Sequence, residues 1–67
     1  MRYKDAHGHI YYVAQEGRTA DGTPYYTVYC IVPGQEAKPF LTSYPTEKDA
    51  IGVLEVWAKC HGWQRTE

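Results

Sequence analysis

Cysteine is scarce in this chain: Cys30 and Cys60 are the only two among 67 residues, too few for the multi-bridge frameworks that staple small secreted domains. A reducing compartment is therefore expected, with both side chains kept as thiols and the protein cytoplasmic. No stretch reaches ten consecutive apolar residues, which excludes a membrane-spanning helix and a signal-peptide core behind Met1, Arg2, Tyr3 and Lys4. Serine occurs once, at Ser43, outside any GxSxG elbow. The glycines follow no phosphate-binding order, since neither GxGxxG nor a P-loop is present. An excess of charge of either sign is missing too: 7 Lys and Arg face 8 Asp and Glu, for a formal net charge of −1. That balance argues against function by broad phosphate neutralisation, which normally needs a clear basic excess.

What the chain does have is aromatic side chains, at 15% of residues: seven tyrosines, two tryptophans and one phenylalanine. A chain of this length hides only about 60% of its unfolded surface on folding, so residues 1–67 are expected to form a single domain. Beginning at Met1 and carrying no linker, the chain is expected to be a complete small gene product.

Two runs of β-formers stand out. Residues 9–16, HIYYVAQE, stop at Gly17 before a loop containing Asp21-Gly22, a pair that tolerates positive φ. Residues 25–32, YYTVYCIV, stop at Pro33-Gly34. A third strand is expected over 39–43, with Pro39 at its entrance, and Arg2 to Lys4 is a candidate fourth. The last third changes period. Thr46 and Asp49 resemble a capping box, and Ala50, Val53, Leu54, Trp57 and His61 recur at helical spacing, which predicts a helix over 47–61. Gly62 is placed to end it and Trp63 to clamp its last turn, leaving 64–67 as a polar tail. The expected fold is α+β, a three- or four-stranded antiparallel meander with one C-terminal helix packed on one face.

One helix covers one face of a sheet, and side chains alternate between faces. On the second strand Tyr26, Val28, Cys30 and Val32 are the more apolar set and are assigned to the helix. On the first strand Ile10, Tyr12 and Ala14 are assigned inward, which leaves Tyr11 and Val13 outward; a slip of one residue reverses the assignment. Tyr11, Tyr25 and Tyr29 then share an open aromatic face, flanked by Arg18 and Lys38. Tyrosine offers flat, amphipathic contact area to a protein or stacks on unpaired bases, although aromatic cross-strand pairs also stabilise a thin sheet without any partner.

His7, His9, Cys30, Cys60 and His61 are the residues able to ligate zinc, but no CxxC or HxxxH pair anchors a site and adjacent helical residues such as Cys60 and His61 point about 100° apart. No cofactor and no metal are therefore expected. The same divergence denies Cys60 a neighbouring base, and enzymatic activity is not expected. Over about residues 9 to 62, with Tyr44-Pro45-Thr46 to Ala50 leading into the helix, the layout resembles small three-stranded DNA-binding domains of the integrase-arm type. Those sheets enter the major groove with several Arg and Lys, whereas the face expected here carries tyrosine and threonine. The leading expectation is a non-enzymatic protein-interaction or regulatory module, using the aromatic face or a strand edge, with a protein partner or a second copy. Nucleic-acid binding through the same face is the alternative, and a small zinc-stabilised domain the second.

Overall fold

The structure, a computed structural model, describes residues 1–66. Its elements in chain order are β1 (Arg2–Lys4), β2 (Ile10–Arg18), β3 (Pro24–Ile31), β4 (Lys38–Pro39), α1 (Glu47–His61) and β5 (Gln64–Arg65). Every strand pair is antiparallel and the sheet order is β4-β3-β2-β1-β5. The class is the expected α+β, with five strands in place of three or four.

The central hairpin forms because two β-rich runs flank a loop with the necessary turn chemistry. Thr19 N–H donates to Thr23 O and Gly22 N–H to Thr19 O, both at 2.9 Å, and Gly22 has φ 88°, a conformation that favours glycine. The expected strand over 39–43 is shorter. After Phe40 N–H donates to Val28 O, the chain leaves the ladder until Tyr44 and Tyr26 exchange backbone bonds of 2.8 and 2.7 Å. The intervening carbonyls of Leu41 and Thr42 instead both lie 2.8 Å from the buried Thr27 hydroxyl. A side chain has replaced the ladder there.

Helix α1 starts and stops where its caps put it. Thr46 Oγ1 accepts from Asp49 N–H at 3.1 Å, Glu47 and Asp49 occupy the positive N-terminal turn, and Lys59 and His61 the negative C-terminal one. Gly62, at φ 70° and ψ 27°, sends its N–H back to Ala58 O. Trp63 N–H donates to the same carbonyl at 2.9 Å, the six-to-one bond of a Schellman ending. Gly62→Ala is expected to cost about 1–2 kcal/mol, because an L side chain is strained in the left-handed region. Thermal denaturation followed at 222 nm measures it; a cost below a few tenths would mean the cap is not held.

That reversal also explains β5. The polar tail expected over 64–67 is in part a strand, because the turn at Gly62 lays Gln64 and Arg65 beside Lys4 and Tyr3 on the outer edge of β1. Glu67 lies outside the described residues.

Ala50, Leu54 and Ala58 are the buried stripe of α1; Val53 and Trp57 are half-buried and His61 is exposed. Leu54 meets Tyr11 and Val28 in the core, with Tyr3, Val13, Cys30, Leu41 and Trp63 packed around them. The orientation expected for β2 is therefore corrected. Tyr11 pairs with Cys30 and Val13 with Val28, so Tyr11 and Val13 face the helix. Tyr12, Ile10 and Ala14 face outward. The physical reason lies in tertiary contacts: Trp63 stacks on the Tyr11 ring at 3.8 Å between centroids, 8° from parallel, and Tyr11 OH donates to Asp5 Oδ2 at 2.8 Å.

Candidate functional site

Strand register builds the uncovered face row by row, since cross-strand partners share a face. One row is Lys4, Ile10 and Ile31; the next is Arg2, Tyr12, Tyr29 and Pro39; the third, Ala14 and Thr27, is open only at Ala14, because the Leu41 and Thr42 carbonyls close over the buried Thr27. Beyond Gln15 the pairing shifts by one residue, the mark of a bulge. Past it, Tyr25 opposes Gly17, and its hydroxyl lies 2.7 Å from where a Gly17 Cβ would stand. A Cβ at that position would have to displace the end of the Tyr25 side chain.

Tyr12 and Tyr29 stack at 5.7 Å and 21°, and the Arg2 guanidinium carbon sits 4.8 Å over the Tyr12 ring. Rings stacked across neighbouring strands stand upright on the sheet, so they present edges and hydroxyls outward while their faces are turned to one another. Glu16, at the bulge, reaches across β3: Ser43 Oγ donates to its Oε1 at 2.5 Å. Burial, then the nearby Glu16 carboxylate, and then Tyr12 and Tyr25 hold the Tyr29 phenol above its ordinary pKa. Tyr29 is thus a neutral hydrogen-bonding group at physiological pH.

Of the five residues expected at the site, the structure brings Tyr25 and Tyr29 together on the uncovered face, both half-buried. Tyr11 is removed from it, being 4% exposed beneath the helix. Arg18 lies at the hairpin end, where its Nη1 donates to Gly22 O at 2.8 Å. Lys38 pairs with Cys30, which places it with the helix-side row. Sequence reasoning assigns Tyr12 to the covered face and misses Glu16. A glycine inside a β pattern, Gly17, is a bulge signal that draws attention to Glu16.

Two surface hollows lie beside these elements. One, of about 480 Å³, is lined by Glu16, Thr19, Thr23, Tyr25, Ser43 and Tyr44 among others. The other, of about 400 Å³, lies on the helix side against Asp5, Phe40, Trp57, His61 and Trp63. Its rings already contact one another: Phe40 meets Trp57 edge-on at 5.2 Å and His61 stacks on Trp57 at 5.0 Å. Cys30 is half-buried on β3, Cys60 is exposed on α1, and among the described residues no three His, Cys, Asp or Glu side chains converge as a metal-ligand set. Nor is any helix among them long and apolar enough to cross a membrane.

Asp5 organises the β1–β2 turn. Its Oδ1 accepts from the backbone N–H groups of His7 and His9, each at 2.9 Å, and its Oδ2 accepts from Tyr11 and lies 3.4 Å from His9 Nδ1. Burial pushes the Asp5 pKa up, but the bonds from Tyr11, His9 and His7 outweigh it and hold the carboxyl below its ordinary value. A depressed native pKa stabilises the fold fully above the unfolded value of about 3.9 and loses that contribution as pH falls through the native value. Urea denaturation between pH 6 and pH 2 is expected to show Asp5→Asn with a shallower acid loss than wild type, because fewer protons are taken up on unfolding. Parallel curves would remove Asp5 from the acid response.

Comparison with known proteins finds no family model that matches the chain, no matching curated protein and no matching solved structure.

Proposed function

We propose that the chain is a non-enzymatic protein-interaction module whose uncovered sheet face is its docking surface. The carrying observation is the row Arg2, Tyr12, Tyr29: an amphipathic stack on the face that α1 leaves open. Upright tyrosines combine apolar edges with hydroxyls, the kind of contact that protein interfaces favour, and Arg2 is suited to a carboxylate on the partner. The geometry favours a protein over unpaired bases, because base stacking needs a free ring face and Tyr12 lies between Arg2 and Tyr29. It also favours the face over an edge. The outer strands are two residues each and carry Lys38, Pro39, Gln64 and Arg65, short charged or proline-bearing edges that resist strand addition.

The test is affinity capture from the source cells with wild type, a Tyr12→Ser/Tyr29→Ser variant and a Val56→Ser variant, each checked for native near-ultraviolet circular dichroism. Val56 is 60% exposed on α1 and controls for general surface change. Support is a protein retained by wild type and Val56→Ser and lost by the tyrosine variant. Identical retention by all three, or saturable salt-sensitive binding of single-stranded oligonucleotides instead, would overturn the reading.

A further inference from the structure

Both tryptophans of the chain border one hollow, the space of about 400 Å³ on the helix side, together with Tyr11, Phe40, His61 and Asp5. Local chemistry brings them there. Trp57 and His61 stand one helical turn apart on α1, and the left-handed Gly62 folds Trp63 back onto Tyr11. Trp57 and His61 lie nearly parallel, 8° apart at 5.0 Å, and Trp63 is within 28° of both. Phe40 stands across that tier, 79° from Trp57 and 67° from Tyr11 at 5.2 and 5.1 Å. Rings crossed edge to face hold one another in place, so the walls are set before anything binds. Trp57 and Trp63 are half-buried and Phe40 and His61 exposed, leaving ring surface open to the hollow.

The electrostatics of the lining favour a cation. Aromatic faces carry negative potential, indole most strongly, and among the described residues that line the hollow Asp5 is the acidic one, with no lysine or arginine beside it. Asp5 is ionised, its carboxyl held below its ordinary pKa against the pull of burial. Its lone pairs are already engaged: Oδ1 accepts from His7 and His9 N–H, and Oδ2 meets the Tyr11 hydroxyl and His9 Nδ1, which uses the roughly four acceptor sites of a carboxylate. Its charge remains, but it has no acceptor to offer a ligand. A primary ammonium entering the hollow would leave N–H donors unpaired, which is costly. A quaternary ammonium has no donor to satisfy and needs only negative potential and apolar contact. We propose that this hollow is a binding site for a quaternary ammonium group, held by the ring faces of Trp57 and Trp63 and by the charge of Asp5. Its volume lies within the range of about 300–1,000 Å³ of small-ligand sites. The site lies on the opposite side of the sheet from the docking face and does not depend on it.

Titration with choline at constant ionic strength tests it. His7 and His61 also line the hollow, and a proton on either would set a like charge beside the ligand, so the measurement is made at pH 8. Because the two indoles are the chain's only tryptophans, their fluorescence and their NMR Hε1 resonances report on the hollow directly. A saturable change is expected in both indoles together, with a Kd at or below about 1 mM. The uncharged isostere 3,3-dimethylbutan-1-ol, and ethanolamine with its primary ammonium, are each expected to bind at least about fivefold more weakly, the scale of one cation–π contact. Trp57→Leu, checked by near-ultraviolet circular dichroism, is expected to show the same loss, Trp57→Phe a smaller one, and Val56→Ser none. No saturable response up to about 10 mM choline, isostere or ethanolamine binding as tightly as choline, or undiminished binding by folded Trp57→Leu would overturn the proposal. The three-ligand comparison needs no variant, so it decides even where Trp57→Leu does not fold. A peptide bearing trimethyl-lysine, run beside choline, identifies the source of the cation: tighter binding of the peptide supports a modified protein tail, and tighter binding of choline supports a small molecule. Failure here leaves the sheet-face reading standing, since that reading is tested through Tyr12 and Tyr29.

Discussion

Tyr11→Ala is expected to cost about 3–5 kcal/mol, close to the whole stability of a chain this small, which at ordinary values per residue is about 3–10 kcal/mol. Three losses coincide at one position. The ring is 4% exposed and shares the core with Val28 and Leu54, so its removal leaves a cavity under α1. Trp63 loses the surface it stacks on, and with it the contact that holds the chain beside β1 after Gly62. Asp5 loses the hydroxyl that hydrogen-bonds its Oδ2. Tyr11→Phe separates the last loss from the others: it keeps the ring, and is expected to cost about 1.5–3 kcal/mol, the range for a bond to a charged group. Urea denaturation followed by tryptophan fluorescence measures both. Tyr12→Ala, one residue along but on the uncovered face, is expected to cost far less. If Tyr12→Ala proved the more damaging, β2 would lie in the opposite orientation and the docking surface would have to be redrawn around Tyr11.

That comparison shows where reading the sequence succeeds and where it stops. The limits of α1 are legible because local chemistry sets them: a side-chain cap at Thr46, a left-handed residue at Gly62 and an apolar stripe between. The orientation of β3 is legible because Val28 and Cys30 differ plainly from Thr27 and Tyr29 in polarity. For β2 the two candidate rows, Ile10, Tyr12 and Ala14 against Tyr11 and Val13, are nearly balanced. What decides between them lies at a distance in the chain, in Trp63 and Asp5, and no local pattern reports it. Strand β5 is two residues long and has no periodicity of its own; it exists because Gly62 turns the chain and β1 has an open edge. The candidate site inherits the error in β2. Tyr25 and Tyr29 follow from β3 alone, whereas Tyr12 and Arg2 depend on the orientation of β2 and Glu16 on the bulge.

Leu54→Ala is expected to be comparably severe, at about 2.7–5 kcal/mol, with a fall in Tm of at least about 10 °C at 4–8 °C per kcal/mol for a domain of this size. Leu54 is fully buried where α1 meets β2 and β3, and the sheet beneath is too rigidly paired to collapse into the space. Its near neighbour Val56, 60% exposed, is expected to tolerate Ser within about 0.5 kcal/mol. Leu54 belongs to the core of the chain, so its cost persists at any dilution. Thermal melts at a hundredfold difference in protein concentration are expected to show Leu54→Ala lowered by the same amount throughout; a loss that vanished on dilution would mean that the helix is held by assembly rather than by its own sheet.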